Sequence, residues 1–230
     1  MKHYEIEINE LDETIEGIKN GSNILLLSPP MSGKEAILDN IMHLRAIKNE
    51  NALIVVTSNE PATHVLERFK VKKLDLSLSR IGIVDCSSKD LVDVEFENVT
   101  IKKVGSPGDL TSIGVKIGQF IDEFSNKDLK IQIHINSLST ILMYSNLQTI
   151  FRFLHYLTGR IKAAKALGIF VIDSGMHDPQ TIVTLKQLCD CMVEIKSENN
   201  KNFIRILGQF AKSTSWFEYE PNEVSSMISH

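Results

Sequence analysis

Two rhythms of apolar and polar positions take turns along the chain. Short continuous apolar runs recur as "NILLLSP", "ALIVVT" (52–57), "RIGIVDC" (80–86), "KIQIHINS" (130–137) and "GIFVID" (168–173). Runs of this length, closed by turn residues, read as strands buried on both faces. Between them the apolar period lengthens to that of a helix. Ile37, Ile41 and Leu44 share one face of a segment from Gly33 to Lys48. Pro61 opens a helix running through Phe69, and Asp109 caps one running through Phe124. Residues 140–166 give one long helix or two, and Pro179 to Leu188 another. Residues 1–22 read as a polar helix, with Leu11, Ile15 and Ile18 at helical spacing and Gly21 at its end. "VTIKKVG" (99–105) is a short or edge strand, and "MVEIKS", "FIRILGQF" and "SWFEYE" are strands that finish the chain.

Strands that alternate with helices predict an α/β fold: a mostly parallel central sheet flanked by helices, with antiparallel strands at the C-terminal edge. No repeat or Gly/Ser-rich linker divides the chain. One domain over 1–230 is expected, made of the N-terminal helix (1–22), an α/β core (23–196) and C-terminal edge strands (197–230).

Composition narrows the function. Of 230 residues, 43% are apolar and 23% charged, enough for a packed core and a wetted surface. A net charge of −4 argues against a general binder of nucleic acid. No apolar run approaches the roughly 20 residues of a membrane span. The acidic start "MKHYEIEINELDETIEG" carries no apolar signal segment, so a cytoplasmic location is expected. Three cysteines fit a reducing compartment. Cys189 and Cys191 lack the further soft ligands that a metal site needs and read as buried structural residues.

The chemistry concentrates in "LLLSPPMSGKEAIL" (25–38). Strand, loop and helix follow in the order of a phosphate-binding P-loop, whose pattern is G-x-x-x-x-G-K-[ST]. In that loop, backbone N–H groups and the helix N-terminus face the phosphates, the Lys neutralises them and the final hydroxyl holds Mg²⁺. Here Ser28, Pro30, Met31, Ser32, Gly33, Lys34 and Glu35 would form the cradle. Ser28 stands at the first Gly, Pro29 and Pro30 remove two N–H donors, and Glu35 stands at the hydroxyl. Glu35 either takes over Mg²⁺ or pairs with Lys34 as a phosphate mimic. Further on, Asn136 and Ser137 end a strand where such proteins place a metal-orienting Asp. Gln132, His134 and Asn136 alternate with isoleucines, so one face of that strand is expected to be wet or polar-bonded, with His134 a satisfied structural histidine. Asn59 and Glu60 follow the second strand; Glu60 either orients a water for attack or sits in the first turn of the next helix.

Taken in order, "LLLSPPMSGKE", "VVTSNEPATHVLERF", "SPGDLTSIGVKIGQFIDEF", "IHINSLSTIL", "GIFVIDSGMHD" and "IRILGQFAKSTSWFEYE" resemble the KaiC-like branch of the RecA superfamily of P-loop ATPases, common in archaea. The resemblance covers nearly the whole chain. It implies a RecA-like core, ATP or ADP as ligand, and ring assembly. "INSLST" is similar to that family's "IDSLS", with Asn136 for Asp; "VVTSNEP" is similar to its "VTFEE", with Glu60 at the second Glu. The closing strands resemble the region where a basic residue reaches a neighbouring subunit's nucleotide, which makes Lys212 the nearest candidate. The departures at Ser28, Glu35, Asn136 and Asn59 point to a degenerate site. They make Mg²⁺ doubtful and favour a regulatory or assembly pseudo-ATPase in signal transduction, with self-association or a regulatory protein as partner. A slow Mg²⁺-dependent ATPase using Lys34, Glu35 and Glu60 is the alternative, and a DNA-binding recombinase relative the weakest reading.

Overall fold

The computed structural model describes residues 3–4, 18–35, 37–38, 51–71, 80–88, 90, 92–96, 98–199, 201–208 and 214–219. Ten strands form one sheet: β3 (Asn23–Ser28), β4 (Asn51–Thr57), β5 (Arg80–Asp85), β6 (Val94–Phe96), β7 (Val99–Lys103), β8 (Lys130–Asn136), β9 (Leu167–Asp173), β10 (Cys191–Glu198), β11 (Lys201–Gly208) and β12 (Phe217–Tyr219). Their order is β12-β11-β10-β3-β9-β8-β4-β5-β7-β6. From β10 to β7 every neighbouring pair is parallel, whereas β10–β11, β11–β12 and β6–β7 are antiparallel. The expected α/β class and the antiparallel C-terminal edge are therefore present.

Five helices are described over their length: α1 (Ala62–Val71), α2 (Leu110–Ser125), α3 (Leu138–Tyr144), α4 (Leu147–Ala163) and α5 (Pro179–Lys186). The long segment at 140–166 is thus two helices. Asn146 breaks it by taking extended backbone and accepting from the N–H of Thr149 as the cap of α4. Asp109 caps α2 through the N–H of Ser112, and Asp178 caps α5 through that of Thr181, with Pro179 at the first helical position. A helix also begins at Lys34 and includes Ile37 and Leu38.

Alternation along the parallel strands builds a core on each face. Ile131, Ile133 and Ile135 of β8 pack with Ile113, Ile117 and Phe120 of α2 and Leu154 and Leu157 of α4. The opposite core joins Leu26, Val55 and Ile169 with Ile37, Leu38 and the apolar side of α1 at Val65, Leu66 and Phe69. The sole Trp216 lies at the sheet's end, with the cations of Lys196 and Arg205 over its ring at 4.8 and 4.4 Å.

Three expectations change. At the ends of the expected helix over 1–22, β1 (His3–Tyr4) pairs antiparallel with β2 (Ile18–Lys19) instead. There His3 and Tyr4 stand in register with Lys19 and Ile18; residues 5–17 lie outside the described residues. The strand at 99–103 is not the edge, because Val94–Phe96 pairs on its outer side. The polar side of β8 is neither wet nor bonded: Gln132 and His134 are buried, and their side-chain nitrogens and oxygen have no hydrogen-bond partner. Their parallel neighbours in register are Leu53, Val55, Leu167 and Ile169, none of which offers a polar side chain.

Candidate functional site at the carboxyl ends of the central strands

The parallel strands β3, β9, β8 and β4 bring Ser28, Asp173, Asn136 and Thr57 to one end of the sheet. In open α/β sheets this is the end that carries sites. From β3 the chain turns through Pro29 to Gly33. Met31 and Gly33 take left-handed backbone, with φ of 58° and 73°, and the glycine does so without a Cβ penalty. Ser28 is buried and its hydroxyl lies 2.5 Å from that of Ser32, so the loop is tied across itself. Met31 points outward, almost wholly exposed.

Lys34 opens the following helix, and its ammonium is ion-paired to Asp173, the last residue of β9. Both side chains are largely shielded, at 11% and 13% exposure. Asp173 is held in turn: its N–H donates to Ser139 at 2.8 Å, and the Ser137 hydroxyl donates weakly to its carboxylate at 3.4 Å. Of the two alternatives for Glu35, pairing with Lys34 is therefore not the one found. Neighbouring residues on a helix point about 100° apart and do not face each other. Glu35 is exposed at the rim.

Asn136 ends β8 at 9% exposure, and its Oδ1 has no donor. Ser137 precedes α3 and caps it by accepting from the N–H of Thr140. Ser58 clamps this corner from β4: its hydroxyl donates toward the carbonyls of Asn136 and Ser137, and the Ser137 N–H donates to it. Glu60 does not sit in the first turn of α1, which starts at Ala62. Its carboxylate is gripped by Arg68 two turns along that helix. Lys34, Glu35, Leu38, Asn59, Glu60, Arg68, Asn136, Ser137, Val171 and Asp173 line one cavity of about 80 Å³. The sequence thus identified Lys34, Glu35, Glu60, Asn136 and Ser137 as partners in one place. It missed Asp173 and Arg68. Lys212 lies outside the described residues.

Two other candidates fall away. All three cysteines are free, and burial, the largest cause, pushes their thiols up to about 12; such thiols are inert. Among the described residues, no cluster of three or more His, Cys, Asp and Glu is placed to hold a metal, and no helix is long and apolar enough to cross a membrane.

A loop-bearing strand separated from the Asn136 strand by one inserted strand, with a helix rising from the loop, is the arrangement of a RecA-like fold. The crystal structure of the KaiC-like protein PH0186 from the hyperthermophilic archaeon Pyrococcus horikoshii OT3 has the same fold. It superimposes with a TM-score of 0.66 over 96% of each chain, at 14% identity. No curated protein matches the sequence. Residues 21–195 match the model of the family of unknown function DUF7504, and the chain belongs to that family.

Proposed function

We propose that this RecA-like domain is a regulatory or assembly module, a pseudo-ATPase whose phosphate site is latched from within. One observation carries the reading: Lys34, the residue that would neutralise phosphates, already spends its charge on Asp173. A charge-assisted bond of this kind is worth about 1.5–3 kcal/mol, and a phosphate must displace it before it gains anything. The second latch acts on catalysis. The Glu60 carboxylate is held by both contacts of the Arg68 guanidinium rather than left free to face a water. Pro29 and Pro30 remove two N–H donors from the loop. ATP or ADP then binds weakly or not at all, and the cytoplasmic module acts through self-association or a regulatory protein.

Calorimetric titration with ATP and Mg²⁺ tests this. The wild type should show weak binding or none and no steady phosphate release. Asp173→Asn frees Lys34 and removes a negative charge, so it should tighten ATP binding by about 10- to 100-fold, the equivalent of the lost bond. Micromolar wild-type binding with turnover that Lys34→Ala abolishes would establish the second reading, a slow ATPase. That reading has one observation in its favour, since Lys34, Glu35 and Glu60 do share the cavity.

A further inference from the structure

We propose that the groove between α2 and α4 is a docking site for an acidic amphipathic helix of a partner protein. The groove lies on the solvent side of these helices and shares no residue with the cavity at Lys34. It does not depend on what the phosphate loop binds.

The sequence leaves the groove open. α2 carries glycine at 114 and again one turn later at 118. A Cβ built on Gly114 would lie 3.5 Å from the Phe153 ring, an ordinary contact, whereas the Arg160 guanidinium occupies the place of a Cβ at Gly118. The two pairs step along both helices in the same direction, so α2 and α4 run side by side. Between them is a hollow of about 450 Å³, lined by these two helices alone. Glycine weakens a helix relative to alanine. Gly114 has neither a positive φ nor a crowding neighbour to require it; what its missing side chain supplies is the room.

The rim is apolar. Val115 and Tyr156 are 54% and 62% exposed, and Phe153 is half-buried between them and the core. Apolar surface gathered around a hollow marks a contact for another molecule.

The charge says which kind. Arg152 and Arg160 line the hollow, and among the described residues no carboxylate does. α4 has no acidic residue along its length, in a chain whose net charge is −4. Arg160 is shared with Asp122 at the groove's end, 2.7 Å away. Arg152 is exposed and makes no hydrogen bond, ion pair or ring contact among the described residues. A positive groove selects a negative occupant.

The walls say which shape. The backbone groups of α2 and α4 are spent within the helices, so an extended peptide would find no ladder for its own N–H and C=O groups. A helix arrives with those bonds made and lays an apolar stripe into the groove. Arg152 and Arg160 stand two turns apart on α4, about 12 Å at the helical rise. The partner should therefore carry carboxylates about two turns apart, with apolar side chains between them for Val115, Phe153 and Tyr156.

The test is a selection from a displayed library of random peptides about 18 residues long, five turns of helix, against the nucleotide-free full chain. Affinities of the recovered peptides are then measured by fluorescence anisotropy. Recovered sequences should carry excess acid, spaced two turns apart around apolar residues, and should gain helical circular dichroism on binding. Arg152→Glu should weaken them by about tenfold or more, because like charges then meet across the contact. A peptide with the facing glutamate changed to lysine should recover that loss. Arg152 is exposed and unpaired, so this variant should melt at the wild-type temperature. Gly114→Leu fills the hollow and should weaken every peptide. Recovered peptides without excess acid, or binding that neither substitution weakens, would overturn the proposal. So would two other occupants: a second copy, seen as a sedimenting dimer that Gly114→Leu dissociates, or a single strand of nucleic acid, seen as an oligonucleotide that displaces the peptides. No readout involves ATP, so tight ATP binding with turnover would sink the latched reading and leave these results standing.

Discussion

At the scale of single residues, the side chain that departs furthest from ordinary chemistry is His134. It is wholly enclosed between Val55 and Ile169, and both ring nitrogens lack partners. Burial pushes its pKa down to about 3 from an ordinary 6.5. The unfolded chain takes a proton near pH 6.5 that the folded chain refuses until about pH 3. The unfolded state therefore binds more protons across that window, and stability falls as pH drops through it. At about 1.4 kcal/mol per pH unit the loss over that window is on the order of 5 kcal/mol. His134→Leu should flatten the urea midpoint between pH 6.5 and 4, where the wild type should decline steeply. Asp85 acts further down the scale. Burial alone would raise its pKa, but the Ser88 hydroxyl and the N–H groups of Ala62, Ser87 and Ser88 together bring it below 3.8. Its contribution holds above that value and is lost only as pH falls below it. Neither role is visible in sequence, since an alternating Gln-x-His-x-Asn strand looks half-wet until its neighbours in register are known to be Leu, Val and Ile.

Elements explain which parts of the site the sequence could give. Lys34 and Gly33 were legible because a P-loop is local: strand, turn and helix follow within 14 residues. Asp173 was not legible as the partner of Lys34, because their meeting depends on β9 lying between β3 and β8, a fact of sheet order. A signal existed, since "GIFVID" ends an apolar run with a carboxylate at the strand end where sites gather. Arg68 was missed because Glu60 lies ahead of α1, and no helical spacing links them. The same long-range logic governs Gly82 on β5. Its Cα lies under the Phe120 ring of α2, and a Cβ there would come within 2.7 Å of Cδ1. Real contacts are not that short, so Gly82→Ala must push α2 away from the sheet. The expected cost is about 1–3 kcal/mol, the usual penalty for overpacking, seen as a lower urea midpoint with an unchanged m-value. A midpoint equal to the wild type's would mean that Phe120 turns aside freely.

For the whole molecule, the latch becomes a statement about linkage. Any ligand that binds only the folded state stabilises it by RT ln(1 + [L]/Kd). The core on both faces of the sheet is built from side chains alone: Ile37 and Leu38 anchor the loop's helix, α1 packs in the core on one face, and α2 and α4 pack in the core on the other. The fold should thus be stable alone, and ATP should add little. With a wild-type Kd near 1 mM, 1 mM MgATP contributes about 0.4 kcal/mol. In a chain of this size that is a shift in Tm of about 1 °C. If Asp173→Asn tightens ATP by 10- to 100-fold, the same nucleotide contributes about 1.4–2.7 kcal/mol and raises Tm by about 3–10 °C. The variant also loses a buried ion pair, so its Tm without ATP should lie below that of the wild type. The two melting curves should then converge, or cross, as ATP is raised. Parallel curves would mean that Lys34, once released from Asp173, still finds no phosphate, and that the loss of loop donors at Pro29 and Pro30 rather than the latch keeps nucleotide out.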